Sequence, residues 1–287
     1  MNNGSKDGET ETRRLESEWR SRLRRLVGRV EHHESLPSTQ LRGHELAREG
    51  LSRAVVVAGE QTRGRGRAAR RWESPKGSGL YFSVLFRPEL PPATAHLVNV
   101  AAALSVAEAA RSLLNLELGL KWPNDLLLSE AGERKVCGIL SESATRNGAL
   151  DYCVTGIGIN LREPPCLPPD VAERSGWLLQ AEGPFGQETP DQGTPGREET
   201  YWTELLPNIV EIFFGWIDAM EREGAAPMLA IYREKCASVG RTVRVETDAE
   251  TLIGTCADIG DDGELILETP LGTRRFHVAD VTHAKLA

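Results

Sequence analysis

Two apolar runs of strand length, Ala54-Val-Val-Val-Ala-Gly and Gly79-Leu-Tyr-Phe-Ser-Val-Leu-Phe, constrain this chain most, because segments so short and continuous bury as strands within a sheet. Between them, from Glu60 to Trp72, the chain reads Glu-Gln-Thr-Arg-Gly-Arg-Gly-Arg-Ala-Ala-Arg-Arg-Trp. Loops hung from a rigid sheet are where chemistry tends to sit. Glycine permits positive φ and close backbone approach, while guanidinium groups bind phosphate or carboxylate, often bidentately. By charge alone the segment also reads as a solvated basic loop or a nucleic-acid strip.

The rest of the chain weighs on that choice. Its net charge is -8, which argues against general binding to a polyanion. No apolar run in the sequence approaches the roughly 20 residues that span a bilayer, and Met1 to Thr12 is polar without a signal-peptide core. Cys137, Cys153, Cys166, Cys236 and Cys256 are odd in number and widely spaced, as expected of reduced thiols in a cytoplasmic protein. Histidine and cysteine spacing gives no zinc pattern.

At 287 residues the chain can bury one large core, or one core plus a small satellite domain. Residues 1–30 read as a charged extension with a short helix after a disordered start. The spacing predicts a core helix over His96–Asn115 and another on the apolar stripe Leu205, Ile209, Ile212, Phe213, Trp216, Ile217 and Met220. Strands are predicted at Asp125–Leu128, Val136–Leu140 and Tyr152–Asn160. A Pro/Gly-rich loop follows to about Gly196, broken by a helical piece at Val171–Leu179. Beyond Gly240 come short strands at Thr242–Glu246, Leu252–Ala257, Leu265–Glu268 and Arg275–Val278, a β module that must lean on the main domain. The expected division is 1–30, 31–237 and 238–287.

Four motifs then need one explanation: the arginine loop, Lys121-Trp-Pro-Asn-Asp, Lys135-Val-Cys-Gly-Ile-Leu-Ser-Glu, and Gly156-Ile-Gly-Ile-Asn160. Singly each has a dull reading as a turn, a charge before a strand, or a close approach of two backbones. In this order and spacing they closely resemble the biotin protein ligases, from about Leu36 to Leu286. The resemblance implies an α+β fold: a mixed β-sheet flanked by helices, like the class II aminoacyl-tRNA synthetase catalytic domain, followed by a small SH3-like β-barrel. It also implies a two-step reaction, in which biotin and Mg-ATP give biotinyl-5′-AMP, and biotin passes to the lysine of a biotin carboxyl carrier protein, as in acetyl-CoA carboxylase.

Roles follow from the resemblance residue by residue. Lys135 matches the lysine between biotin carboxylate and α-phosphate, and Arg65 and Arg67, with Gly64 and Gly66, match the loop that orders over the intermediate. Ser38, Thr39, Gln61 and backbone around Gly138 would line biotin, and Gln40, Trp72 and Ile139 are further substrate-binding candidates. Asn124 and Asp125 match the Mg-phosphate and incoming-lysine region, with Asp125 the magnesium contact; Gly156, Gly158 and Asn160 lie where the nucleotide is expected. Trp177 matches a tryptophan that packs on adenine, or is core.

Two departures stand out. Gln40 replaces the family's usual asparagine after Ser-Thr, and Ala68-Ala69 replaces an Arg-Gly step, which lowers charge, stiffens the backbone and is expected to slow loop ordering. With few residues before Val30 the expectation is a monofunctional ligase without a winged helix-turn-helix domain, hence no DNA partner and no membrane. The resemblance leaves a homodimer open. A lipoate ligase is the nearest rival, disfavoured by Gly-Arg-Gly-Arg and the β-rich tail; a nucleic-acid-binding regulator lacks aromatic residues among its arginines.

Overall fold

The computed structural model describes residues 18–128, 133–180, 201–247, 249–277 and 279–283. The expected disordered start and the later part of the Pro/Gly-rich loop, residues 181–196, lie outside these.

A seven-stranded mixed sheet organises the larger part. Its strands are β1 (Arg29–His33), β2 (Ala54–Ala58), β3 (Gly79–Phe86), β4 (Leu118–Lys121), β5 (Asp125–Leu128), β6 (Arg134–Arg146) and β7 (Ala149–Asn160), in the order β1-β2-β3-β7-β6-β5-β4. β1 and β2 are parallel and the other pairs antiparallel. Every residue of β2 and β3 is buried, so both faces of the sheet's middle are covered, which explains their unbroken apolar runs. β6 and β7 are longer than their apolar portions predict. Polar ends extend them to a turn at Asn147-Gly148, both at positive φ, where these two residue types are most tolerant.

Helices cover the two faces unequally. Residues 18–27 form helix α1, which buries Trp19, Leu23 and Val27 at helical spacing. Helix α2 (Thr39–Arg48) packs Leu46 and Ala47 against Ala54, Val56, Leu85 and Val154. The main core lies on the other face, with helix α3 (Val98–Leu114) buried along most of its length. α3 begins at Val98, not His96, because a 3-10 turn over Pro92–Leu97 precedes it; it ends at Asn115, whose φ of 55° stops the helix. The expectation about apolar length is corrected here. Pro92–Leu114 is a 23-residue helical stretch with a window of mean hydropathy 1.4, long and apolar enough by length and composition to cross a membrane, yet 72% of that window is buried inside the protein.

The expected piece at Val171–Leu179 is reduced to one helical turn, α4 (Pro169–Ala172), and a 3-10 turn at Leu178–Gln180. Helix α5 (Leu206–Glu223) carries the apolar stripe, and α6 (Ala226–Lys235) follows. A second sheet is antiparallel: β8 (Thr242–Glu246), β9 (Thr251–Ile259), β10 (Leu265–Thr269), β11 (Gly272–Phe276) and β12 (Asp280–His283), in the order β11-β10-β9-β8-β12. Its apolar side chains Val243, Leu265 and Leu267 join one core cluster with Leu97 and Leu229. Trp122 donates its indole N–H to Gly263 O at 3.0 Å, tying the Lys121-Trp-Pro-Asn-Asp turn to this sheet. All five cysteines are free thiols; Cys166 is exposed and the other four are buried.

Candidate active site

Strand register brings the motifs together. Asp125 pairs with Gly138, Gly138 with Gly158, and Gly158 with Tyr81, so these residues form one row across β5, β6, β7 and β3. Paired residues share a face, and the next step along it carries Leu140, Gly156 and Ser83. This is the face α2 covers at its far end, where Val154 and Leu85 meet Leu46.

The glycines make a depression in that face. A Cβ on Gly158 would lie 2.3 Å from Trp72 Nε1, and one on Gly138 would lie 2.8 Å from Trp72 Cζ3, so the indole rests on two bare backbones. A Cβ on Gly156 would meet Gln40 Oε1 at 2.2 Å. Lys135 Nζ lies 5.1 Å from the centre of the Trp72 ring and 2.6 Å from Asp125 Oδ1. Asn160 Nδ2 donates to Lys135 O at 3.2 Å, fixing the strand that presents the lysine.

Buried polar atoms show where a ligand would bind. Gln61 Oε1 accepts from Thr39 N at 2.9 Å, Gln61 Nε2 donates to Ser74 Oγ at 2.9 Å, and Thr39 Oγ1 lies 2.8 Å from Ser83 Oγ. Gln40 Nε2 lies within bonding distance of Leu140 O and Val154 O, at 3.1 and 3.0 Å. Yet Ser38 Oγ, Gln40 Oε1 and Trp72 Nε1 are buried with no hydrogen-bond partner among the described residues. Buried polar groups are nearly always paired, and an unpaired one costs about 1–3 kcal/mol. Two donors and an acceptor so placed fit a polar ligand that carries both functions.

The arginine loop folds back on itself as a hairpin. Gly66 N donates to Arg70 O at 2.8 Å, Arg70 N to Arg67 O at 3.0 Å, and Trp72 N to Gly64 O at 3.0 Å. A Cβ on Gly64 would lie 2.3 Å from Trp72 O, so only glycine fits there. Arg67 Nη1 donates to Asn124 Oδ1 and Ala279 O, each at 3.2 Å, and Arg70 pairs with Asp280. Burial lowers the pKa of Arg67, with Asp280 and Asp125 nearby opposing the shift in part. Burial likewise lowers the pKa of Lys121, with Asp125 opposing. Together the hairpin, Glu142 and the β12 end of the small sheet line a cleft of about 1160 Å³.

The tip of the hairpin is strained. Ala68 and Ala69 sit at φ 50° and 57°, in the left-handed region that costs a residue with a Cβ roughly 1–2 kcal/mol. Ala69→Gly is therefore expected to favour the closed hairpin by about 1 kcal/mol or less after glycine's greater unfolded-state entropy is subtracted. Limited proteolysis within Arg67–Arg71 should slow accordingly; unchanged or faster cleavage would refute the strain.

Most of the sequence-derived candidates thus converge. Ser38, Thr39, Gln40, Gln61, Trp72, Gly138, Gly156, Gly158, Lys135 and Asp125 surround one depression, and Asn124, Arg67 and Asn160 border it. Ile139 contributes backbone only: its N–H donates to Asn124 O at 2.9 Å, its O accepts from Asn124 Nδ2 at 2.8 Å, and its side chain is in the core. Arg65 turns outward to Glu142. Trp177 is 5% exposed; its neighbour Gly176 donates to Lys135 O, which runs this segment alongside the lysine. Lys121, His44 and Glu142 also belong to these surroundings and were not among the candidates. Lys121 and Glu142 are the outer members of two quoted motifs; nothing in the spacing marks His44.

Comparison with known proteins bears on the family and the fold. Residues 33–160 match the Biotin/lipoate A/B protein ligase family, and residues 239–283 match the Biotin protein ligase C terminal domain. The Biotin--[acetyl-CoA-carboxylase] ligase of Mycobacterium tuberculosis is 30% identical over 237 residues, 80% of this chain and 79% of that protein. The Bifunctional ligase/repressor BirA of Bacillus subtilis is 29% identical over 252 residues, 87% of this chain and 72% of that protein. Among solved structures, the biotin protein ligase of Aquifex aeolicus in complex with biotin and ATP superposes with a TM-score of 0.71 at 24% identity, covering 89% of this chain and 99% of that one. With both family matches in sequence order and a relative 30% identical over 79% of its own length, the chain belongs to the biotin protein ligase family.

Proposed function

We infer that this chain is an ATP-dependent biotin protein ligase that makes biotinyl-5′-AMP and transfers biotin to the carrier lysine of a biotin-dependent carboxylase. The observation that supports the assignment is the set of buried polar atoms without partners, Ser38 Oγ, Gln40 Oε1 and Trp72 Nε1, on the sheet face where Lys135 lies over the Trp72 ring. Biotin's ring urea carries two N–H donors and a carbonyl acceptor, and its chain ends in a carboxylate. A polar pocket beside a cation suits those two ends.

In the first step a biotin carboxylate oxygen attacks the α-phosphorus, the bond to the β-phosphate oxygen breaks, and pyrophosphate leaves. Two anions must approach, so the chain's task is charge neutralisation and positioning. Lys135 supplies a compact charge on the sheet, exchanging Asp125 for the reacting oxygens, and Arg67 supplies a second from the hairpin above. Magnesium enters with ATP as part of the substrate. Among the described residues no group of three or more His, Cys, Asp or Glu could hold a metal, and Asp125 as a single carboxylate suits an ion that keeps its waters and phosphate oxygens.

In the second step the carrier lysine amine attacks the acyl carbon, the acyl–phosphate bond breaks, and AMP leaves. On this reading Asp125 orients that amine. The hairpin keeps water from the mixed anhydride between the steps. Arg67→Gly would remove both the contact to Asn124 and the bond to Ala279 O, so the intermediate should escape roughly tenfold faster or more and label bystander lysines. Mass spectrometry of an added carrier-free protein would detect this; labelling confined to the carrier lysine would count against it.

With a net charge of -8, the macromolecular partner we propose is the carrier domain rather than nucleic acid. The assignment is tested by incubating the chain with Mg-ATP, a carrier domain, and either biotin or lipoate, then weighing the carrier. Biotin-sized mass gain is expected; gain with lipoate alone would overturn the choice of substrate.

A further inference from the structure

Glu142 ends the motif that Lys135 begins, yet no step above uses it. Its carboxylate receives both terminal nitrogens of Arg65, Nη1 to Oε2 and Nη2 to Oε1, each at 2.8 Å. Oε2 also lies 3.2 Å from Gln40 Nε2 and 3.0 Å from His44 Nε2. One acid on β6 therefore joins the arginine hairpin, the pocket-lining glutamine and helix α2. These bonds, that to His44 first, bring the Glu142 pKa down to about 2, so the acceptor is charged under any working condition.

The direction of the two loop arginines differs. Arg67 points inward to Asn124, whereas Arg65 is taken up by a bidentate pair at the rim of the cleft. A guanidinium held by two charge-assisted bonds to a fixed strand makes a good anchor and a poor free charge for a ligand. Gly64 and Gly66 flank Arg65, leaving the hairpin's stem little stiffness of its own; the hydrogen bonds that its other arginines make outside the hairpin run to Asn124, Ala279 and Asp280, and Trp72 packs on the sheet.

We propose that Glu142 is a positioning residue of the ligase reaction, anchoring the closed arginine hairpin through Arg65 and setting Gln40 in the pocket with the same carboxylate. Arg65 then acts on catalysis by placing the hairpin, and Arg67 by its charge. This rests on the ligase reading above.

A double-mutant cycle tests it on the full chain with biotin and Mg-ATP. Glu142→Gln, Arg65→Gln and the double variant are compared for the dissociation rate of biotinyl-5′-AMP and for the KM of biotin. Each single change is expected to release the intermediate about tenfold faster or more, the scale of losing one charge-assisted contact, and the double variant no faster than the worse single one. Glu142→Gln alone should also raise the KM of biotin through Gln40, a split that a general loss of stability would not produce. Additive losses, or wild-type retention in either single variant, would overturn the proposal. Should Glu142→Gln fail to fold, Arg65→Lys decides: a single-point donor must fall between wild type and Arg65→Gln, and wild-type retention in Arg65→Gln refutes the anchor. A wild-type chain that forms no adenylate would instead defeat the ligase reading itself.

Discussion

Lys135→Ala should lower biotin-dependent pyrophosphate exchange by about a thousandfold, the scale seen when a preorganised charge is removed from a phosphoryl-transfer site. The side chain is the only cation within bonding distance of Asp125 among the ion pairs described, and it lies over the Trp72 ring that walls the depression. Its main chain is held independently, by Lys135 N to Arg174 O at 2.8 Å and Gly176 N to Lys135 O at 2.9 Å. The fold should therefore survive the substitution, with the unfolding midpoint nearly unchanged. Lys135→Arg should not rescue, because a planar fork cannot take the place of a compact ammonium between two oxygens. Normal exchange in the alanine variant would remove Lys135 from the chemistry.

Gly158→Ala is the second large effect. Its Cβ would fall 2.3 Å from Trp72 Nε1 and 2.6 Å from Trp72 Cε2, closer than real contacts allow, and Trp72 closes the hairpin through its N–H to Gly64 O. Displacing the ring shifts the pocket wall and the lid together. Overpacking of this kind costs about 1–3 kcal/mol, so biotin should bind roughly ten- to a hundredfold more weakly by calorimetry. Trp72→Leu in the same chain should recover part of the loss by freeing space. Wild-type affinity in Gly158→Ala would mean that the indole does not form the wall.

Much of this site was legible because its parts are local. A glycine-interrupted arginine run, a lysine before an apolar strand and alternating glycines on another strand each announce a backbone that something approaches closely, and register then superposes them. β2 and β3 were legible because every residue is buried, so their apolar runs are unbroken, and α3 because its buried apolar positions recur at helical spacing. β1 was not. Arg-Val-Glu-His-His lies at the sheet's edge, where polar side chains are tolerated and Glu31 is held by Arg42. α2 is polar along most of its length and buries only one side.

What spacing could not reveal is pairing between distant residues. Glu142 meets Arg65 across 77 positions and His44 across 98, and Arg67 reaches Ala279 across 212. Nor does the sequence show that Ala68 and Ala69 adopt positive φ, since alanine ordinarily avoids it and only the closed hairpin imposes it.

The central claim is that one depression brings two anionic reactants to Lys135 under the arginine hairpin. Exchange of labelled pyrophosphate into ATP measures that event alone, without carrier or product release. Exchange that requires both biotin and Mg-ATP is the predicted result. A rate no higher with biotin than without it would contradict the account.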